Sequence, residues 1–211
     1  MAASRRIASR AARRANDRAL LRRMPPRTTL ILIMGVAGSG KTTLAKEILR
    51  RVWAIYLDNN HIVDAFFPRT RSGRKYQKLR PCFYRALYRI VEENLNVGNS
   101  VILDVPHIKE IQDRRWRSFI ADLAAQTNAR LVTIRCFCSD SVLRVRLCAR
   151  GEKRDRFKLR HWQQFLREQP IRTAVPFAHL DIDTEQNLST IANRAVRYIF
   201  RSPGMPRRPP R

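Results

Sequence analysis

The segment Gly35-Val36-Ala37-Gly38-Ser39-Gly40-Lys41-Thr42-Thr43 constrains this chain more than any other. It stands directly after the apolar run Thr29–Met34 and directly before an amphipathic stretch that begins at Lys41. Glycines at this spacing, G-x-x-x-x-G-K-[ST], let the backbone turn tightly and point successive N–H groups inward around an oxyanion. The helix that follows offers its positive N-terminus to the same group. Strand, loop and helix in that order open a βαβ unit, which places the chain among α/β folds.

The remainder keeps that rhythm of apolar runs and amphipathic segments. Strands are expected at Thr29–Met34, Ala54–Asp58, Ser100–Asp104, Arg130–Cys136 and Phe177–Ile182. Helices are expected at Lys41–Val52, Leu79–Val97 (with Gly98 as its stop), Arg114–Gln126, Ser141–Arg150, His161–Glu168 and Leu188–Phe200. The pattern implies a parallel five-stranded sheet covered by helices on both faces, a three-layer α/β/α domain over residues 29–200.

The chemistry of the loop selects a nucleotide. Residues Gly35 to Thr43 would cradle phosphates, the Lys41 ammonium reaches the β- and γ-phosphates, and the Thr42 hydroxyl is placed for Mg²⁺. None of the seven lysines follows an Asn, so the Asn-Lys-x-Asp signature of guanine readers is missing. Asp104 ends an apolar strand and is followed by Val105 rather than by the Glu that water-activating ATPases carry there. Ligands of open α/β sheets bind beyond the carboxyl ends of the strands, which puts Asp58 and Asp104 at the site. Asp58 can take a proton from an acceptor hydroxyl or cap the next helix. Asp104 can support Mg²⁺ or the acceptor, or simply start a turn before Pro106. His61 and Asp64 just beyond Asp58, and His107 after Asp104, are weaker candidates.

These residues resemble a family, the small P-loop kinases related to gluconate kinase, adenylylsulfate kinase, zeta toxin and the kinase domain of polynucleotide kinase. Within that group the chain is most similar to AAA-domain ATP-binding proteins, over about Leu30 to Ile199. The resemblance rests on the P-loop, on Tyr56-Leu57-Asp58-Asn59-Asn60, on Val101-Ile102-Leu103-Asp104 and on the basic segment Arg146 to Asp155. It implies sheet order 2-3-1-4-5, ATP and Mg²⁺ as ligands, and a helical lid. Arg146 would then contact nucleotide, and Arg150 and Arg154 would offset charge on the transferring phosphoryl group. The three arginines recur every four residues and would share a helical face if the helix persists that far. Relatives commonly carry Asp-x-Asp after the second strand, with the second Asp as base; here that position is Asn60, so either Asp58 serves instead, or transfer is slow, or the chain keeps nucleotide binding and has lost the chemistry. Relatives bind the acceptor in the region Pro68–Lys78, where Arg69, Arg71, Arg74, Lys75 and Lys78 suggest an anionic acceptor.

The expected activity is transfer of the ATP γ-phosphate to a hydroxyl of a small molecule. Two alternatives stand beside it: a polynucleotide 5′-hydroxyl kinase, and a nucleotide-binding regulatory or RNA-associated protein without phosphotransfer. Both draw on charge, and the second also on Asn60. The chain carries 43 Lys+Arg against 17 Asp+Glu, a net +26. Residues 1–28 contribute +8 and residues 201–211 add +4, leaving +14 on the domain. Such a surface attracts polyanions, nucleic acid among them. The Arg- and Ala-rich segment 1–28 reads as a disordered basic tail, with a mitochondrial transit peptide or upstream sequence before Met24 as alternatives. Residues 201–211, rich in Pro and Arg, are expected to be disordered as well. The four cysteines accompany no secretory signal, which points to a reducing, cytoplasmic setting. Cys136 and Cys138 are expected to pack in the core. The longest apolar stretch, Leu30 to Val36, is too short to cross a bilayer, so no membrane partner is expected.

Overall fold

A computed structural model describes residues 22–68, 71 and 73–202. Its sheet has five strands, β1 (Thr29–Met34), β2 (Ile55–Asp58), β3 (Val101–Asp104), β4 (Arg130–Phe137) and β5 (Leu180–Asp183). All pairings are parallel and the order is β2-β3-β1-β4-β5, as the resemblance implied. The helices are α1 (Lys41–Leu49), α2 (Asn59–Phe66), α3 (Arg74–Asn96), α4 (Arg114–Gln126), α5 (Asp140–Arg150), α6 (Arg156–Arg160), α7 (Trp162–Glu168) and α8 (Leu188–Arg201).

Alternation along the central strands sorts the core into two layers. Ile31 and Ile33 of β1 pack with Leu44 and Ile48 of α1 and with Ile191 and Ile199 of α8. Leu30 and Leu32 face the other way, against Leu87 and Val91 of α3 and Ile120 of α4. Being buried on both faces is what makes these strands read as unbroken apolar runs. A third cluster, containing Val36, Ile108, Leu143, Leu147, Trp162 and Phe165, joins the P-loop to α5 and α7. Cys136 is fully buried in the first layer and Cys138 in the third cluster, as expected of core cysteines.

Several boundaries differ from the sequence reading, each for a local reason. α1 stops at Leu49, because Val52 instead forms a parallel bridge with Arg23. There the Arg23 N–H donates to the Arg51 carbonyl at 2.9 Å and the Trp53 N–H to that of Arg23 at 3.0 Å. Residues 22–28, placed in the basic tail by composition, thus make backbone contacts with the domain; residues 1–21 and 203–211 lie outside the described residues. α3 begins at Arg74 rather than Leu79 and tolerates Pro81 inside it. Its first turns are held by Tyr76, which is buried against Phe67 with ring centroids 5.4 Å apart. β5 starts at Leu180 rather than Phe177, since the Phe177 carbonyl is engaged by His179 Nδ1 at 2.9 Å in a turn. No helix among the described residues is long and apolar enough to cross a membrane.

Candidate functional site

The loop after β1 has the backbone that a phosphate cradle requires. Gly35 sits at φ +141°, and a Cβ there would lie 2.3 Å from the Cys136 carbonyl oxygen. Gly40, at φ +83°, caps α1 and is covered by Thr184, which an added Cβ would meet at 3.0 Å. Lys41 is buried, and its Nζ donates to the Val36 carbonyl inside the loop at 2.8 Å. An ammonium has three N–H groups to place. Burial pulls its pKa down, against the opposing pull of the Asp104 carboxylate. The buried Ser39 hydroxyl has no partner among the described residues. A cation and a hydroxyl with spare donor capacity, enclosed by glycine backbone at a helix N-terminus, fit a phosphate chain.

Two carboxylates meet at the strand ends. Asp58 and Asp104 are register partners across the β2–β3 ladder. The Thr42 hydroxyl donates to Asp104 Oδ2 at 2.5 Å, and the Tyr56 hydroxyl donates to the same oxygen at 2.9 Å. Tyr56 also stands 3.4 Å from Asp58 Oδ2. Burial pushes Asp104 above the usual carboxylate range, while Lys41 and the Thr42 hydrogen bond oppose that rise. Burial first, and then Asp104, raises the Tyr56 phenol well beyond its ordinary value, so it stays a donor. Asp58 Oδ1 accepts the Asn60 N–H at 2.8 Å and so caps α2, while the residue also lines the cleft. Capping and cleft-facing roles, alternatives in the sequence, coexist here. A hydroxyl and a carboxylate at the phosphate end form a hard-oxygen donor set suited to Mg²⁺, which takes few protein ligands and fills its shell with water and phosphate oxygens.

The lid differs from the expected continuous helix. Gly151, at φ 66°, terminates α5, so Arg154 lies in a separate short turn, Lys153–Asp155. Even so, Arg146, Arg150 and Arg154 all line one cleft of 1110 Å³ together with Lys41, Thr42, Asp58 and Asp104. Arg146 donates to Thr184 Oγ1 at 2.7 Å and to the Thr184 carbonyl at 2.8 Å, which ties the lid base to the residue over Gly40. Arg150 and Lys158 both hold the buried Asp155. Arg154 reaches across the cleft to Asp64, which also accepts from Arg71.

The family described as "AAA domain" matches residues 30–170, two thirds of the chain. The chain belongs to that AAA-domain family. No curated protein matches it. Among solved structures, the AAA domain is similar to a sugar kinase from Janibacter sp. HTCC2649, with 18% identity and TM-score 0.61, over 83% of this chain and 96% of that one. It is similar also to the APS kinase of Mycobacterium tuberculosis solved with AMPPNP and APS, at 15% identity and TM-score 0.53, over 82% of this chain and 98% of that one. A shikimate kinase from Bacteroides thetaiotaomicron shares 17% identity and TM-score 0.56, over 81% and 98% of the two chains. Likeness at these identities establishes the fold, a P-loop kinase-like fold with kinases as neighbours.

The part of the AAA domain's cleft expected to hold an acceptor departs from the sequence reading. Of the five cations in Pro68–Lys78, Arg71 lines the cleft, whereas Arg74, Lys75 and Lys78 are exposed on α3 outside it, and Arg69 lies outside the described residues. Arg80 and Tyr84 enter instead, together with Glu110. The Arg80 guanidinium lies 4.6 Å from the Tyr84 ring centroid and pairs with Glu110. The signal for them was present: Tyr76, Arg80 and Tyr84 recur at i, i+4 on one helical face. His61 and Asp64 line the cleft, and Asn60 Oδ1 accepts from Arg71 at 2.7 Å.

His107 does not reach the cleft. It is 1% exposed, and its Nε2 lies 2.8 Å from the Tyr88 hydroxyl. That hydroxyl accepts from the Trp116 indole N–H, also at 2.8 Å, so its own proton is free to go to Nε2 of a neutral ring. Burial lowers the His107 pKa from 6.5 to about 4. Folding therefore favours the neutral ring, and the stability it carries is complete above pH 6.5 and lost as pH falls towards 4. Urea unfolding at pH 7 and pH 4 should show the wild type losing about 3 kcal/mol more than His107→Gln. Equal losses in both would remove His107 as the cause.

Proposed function

We propose that this protein is an ATP-dependent, Mg²⁺-requiring phosphotransferase acting on a hydroxyl acceptor. The observation that carries the reading is the Thr42–Asp104 pair, 2.5 Å apart at the phosphate cradle and one strand away from Asp58. Gly35 to Thr43 bind the phosphates, and Lys41 faces the β- and γ-phosphates. Thr42 and Asp104 would hold Mg²⁺, which when bound neutralises charge on the phosphate oxygens. Asp58 orients the acceptor hydroxyl and takes its proton as the acceptor oxygen bonds to the γ-phosphorus and the bond to ADP breaks. Arg150 and Arg154 stabilise the transferring group once the lid closes, and Arg146 packs beside the nucleotide at Thr184. The missing guanine-reading motif supports ATP over GTP. Arg71, Arg80 and Tyr84 form the acceptor wall, and a small anionic molecule is the class they suit.

Asp58 already spends one oxygen on the α2 cap and Asn60 occupies the position where relatives carry a base. Those two facts favour the second reading, nucleotide binding without transfer. The +26 charge keeps a 5′-hydroxyl polynucleotide among the acceptors to be supplied. With γ-labelled ATP, Mg²⁺ and separate pools of metabolites and 5′-hydroxyl oligonucleotides, the wild type should pass label to one pool. Asp58→Asn should slow that transfer about a hundredfold or more with ATP affinity little changed. ATP binding with no transfer to either pool would favour the second reading, and undiminished transfer by Asp58→Asn would dismiss that residue as the base.

A further inference from the structure

β2 delivers Asp58 to the cleft, but the residue two positions earlier reaches the cleft as well. Tyr56 and Asp58 share a face of the strand, since side chains alternate. In the β2–β3 register Tyr56 stands opposite Ile102 and Asp58 opposite Asp104, so Asp104 is the diagonal neighbour of Tyr56. A diagonal of this kind is within reach of aromatic and long side chains. The phenol spans it, donating to Asp104 Oδ2 at 2.9 Å with Asp58 Oδ2 3.4 Å away. Its ring is partly buried against the sheet-and-helix layer formed by β1, α1 and α8, and the His61 ring stands edge-on to it at 6.1 Å. The two parts of the side chain have separate duties. The ring fills space that Phe would fill equally, whereas the hydroxyl's hydrogen bonds among the described residues run to the site's two carboxylates.

That hydroxyl answers a problem set by the register. Two carboxylates directly opposite one another on neighbouring strands repel, and each left alone would swing away from the other. Thr42 restrains Asp104 from the loop side, and it does so on the same oxygen, Oδ2, that Tyr56 holds from the strand side. Asp58 is tied at Oδ1 by the Asn60 N–H. Tyr56 is the group that lies between the two acids.

We propose that Tyr56 is a positioning residue, whose hydroxyl fixes Asp104 against Thr42 and sets its spacing from Asp58, so that the metal-facing and acceptor-facing carboxylates are assembled before substrate arrives. The inference rests on the phosphotransfer reading given above. Tyr56→Phe separates it from packing, because the ring is kept. In the full chain, the thermal midpoint and the affinity for ADP without divalent metal should match the wild type within about twofold. The affinity of the ADP complex for Mn²⁺, read by electron paramagnetic resonance, should fall about tenfold, the size expected for losing one hydrogen bond to an ionised group. Where turnover is measurable with water as acceptor, kcat should fall by a similar factor with KM for ATP unchanged.

Unchanged Mn²⁺ affinity in Tyr56→Phe overturns the proposal. So does a loss of metal-free ADP binding in step with Mn²⁺ binding, which marks a structural role. The phosphotransfer reading fails differently, in a wild type that holds Mn²⁺ and nucleotide yet transfers label to no acceptor; the Mn²⁺ comparison still decides the role of Tyr56 there. A wild type that binds no nucleotide removes both.

Discussion

Lys41→Ala should abolish phosphotransfer while leaving the fold standing. Lys41 is a buried ammonium whose hydrogen bond runs to the Val36 carbonyl, and burial already lowers its pKa. Removing it relieves a desolvated charge but also takes a counter-charge from the buried Asp104 and leaves the Val36 carbonyl without its donor, so urea unfolding should shift by up to about 2 kcal/mol. The chemical loss is large because the same ammonium is the one proposed to face the β- and γ-phosphates. Its removal also takes away the charge that opposes the upward shift of Asp104, so the carboxylate facing Thr42 moves further towards its protonated form. Transfer of γ-label should drop by roughly a thousandfold or more, and ATP affinity by about tenfold or more. A variant that retains a tenth of wild-type transfer would contradict the placement of Lys41 at the phosphates.

The second large effect is expected on stability and binding together, from Gly35→Ala. At φ +141° an L side chain is strained whatever room it has, and here there is none: the new Cβ would stand 2.3 Å from the Cys136 carbonyl and 2.7 Å from Ser39 Oγ. The first of these is backbone of a central strand, so the loop must give way. Gly35 would then lose its N–H bond to the Pro106 carbonyl, 3.2 Å in the structure, and with it the alignment of the N–H groups that follow. A destabilisation of about 3 kcal/mol or more is expected in urea unfolding, with ATP binding lost in calorimetric titration. Gly73→Ala provides the contrast. Its φ is −72° and no described residue lies within 4 Å of an added Cβ, so its cost should stay within about 0.5 kcal/mol. Similar costs at both glycines would refute the steric account.

Much of the site was legible because its meaning is local. The spacing from Gly35 to Thr42 dictates a loop shape, and Asp104 follows from where an apolar strand stops. What escaped the sequence depends on partners far along the chain. Whether Arg154 faces the cleft is decided by Gly151 turning the chain and by Asp64 receiving the guanidinium 90 residues away. The region Pro68–Lys78 looked like a cationic lip because composition does not say which way a helix turns; α3 presents Arg80 and Tyr84 inward and leaves Lys75 and Lys78 outside. The sequence assigns Tyr56 no role, since its neighbour across the sheet is known only from register. The largest shift of a strand end, three residues at the start of β5, falls where His179 Nδ1 engages the Phe177 carbonyl.

The strand order has a consequence for how this polypeptide comes into being. Among the described residues β1 comes before the other strands in the chain yet is the middle one in the sheet, bonded to Val101–Asp104 on one side and Arg130–Arg135 on the other. Its neighbours are thus translated about 70 and 100 residues later, and until both exist the strand has no edge to rest on. Contacts of such long sequence separation form slowly, and in the interval an apolar hexapeptide preceded by a run of arginines is open to whatever surrounds the nascent chain. The loop from Gly35 to Thr43 leaves the ribosome well before the strands against which it takes its shape.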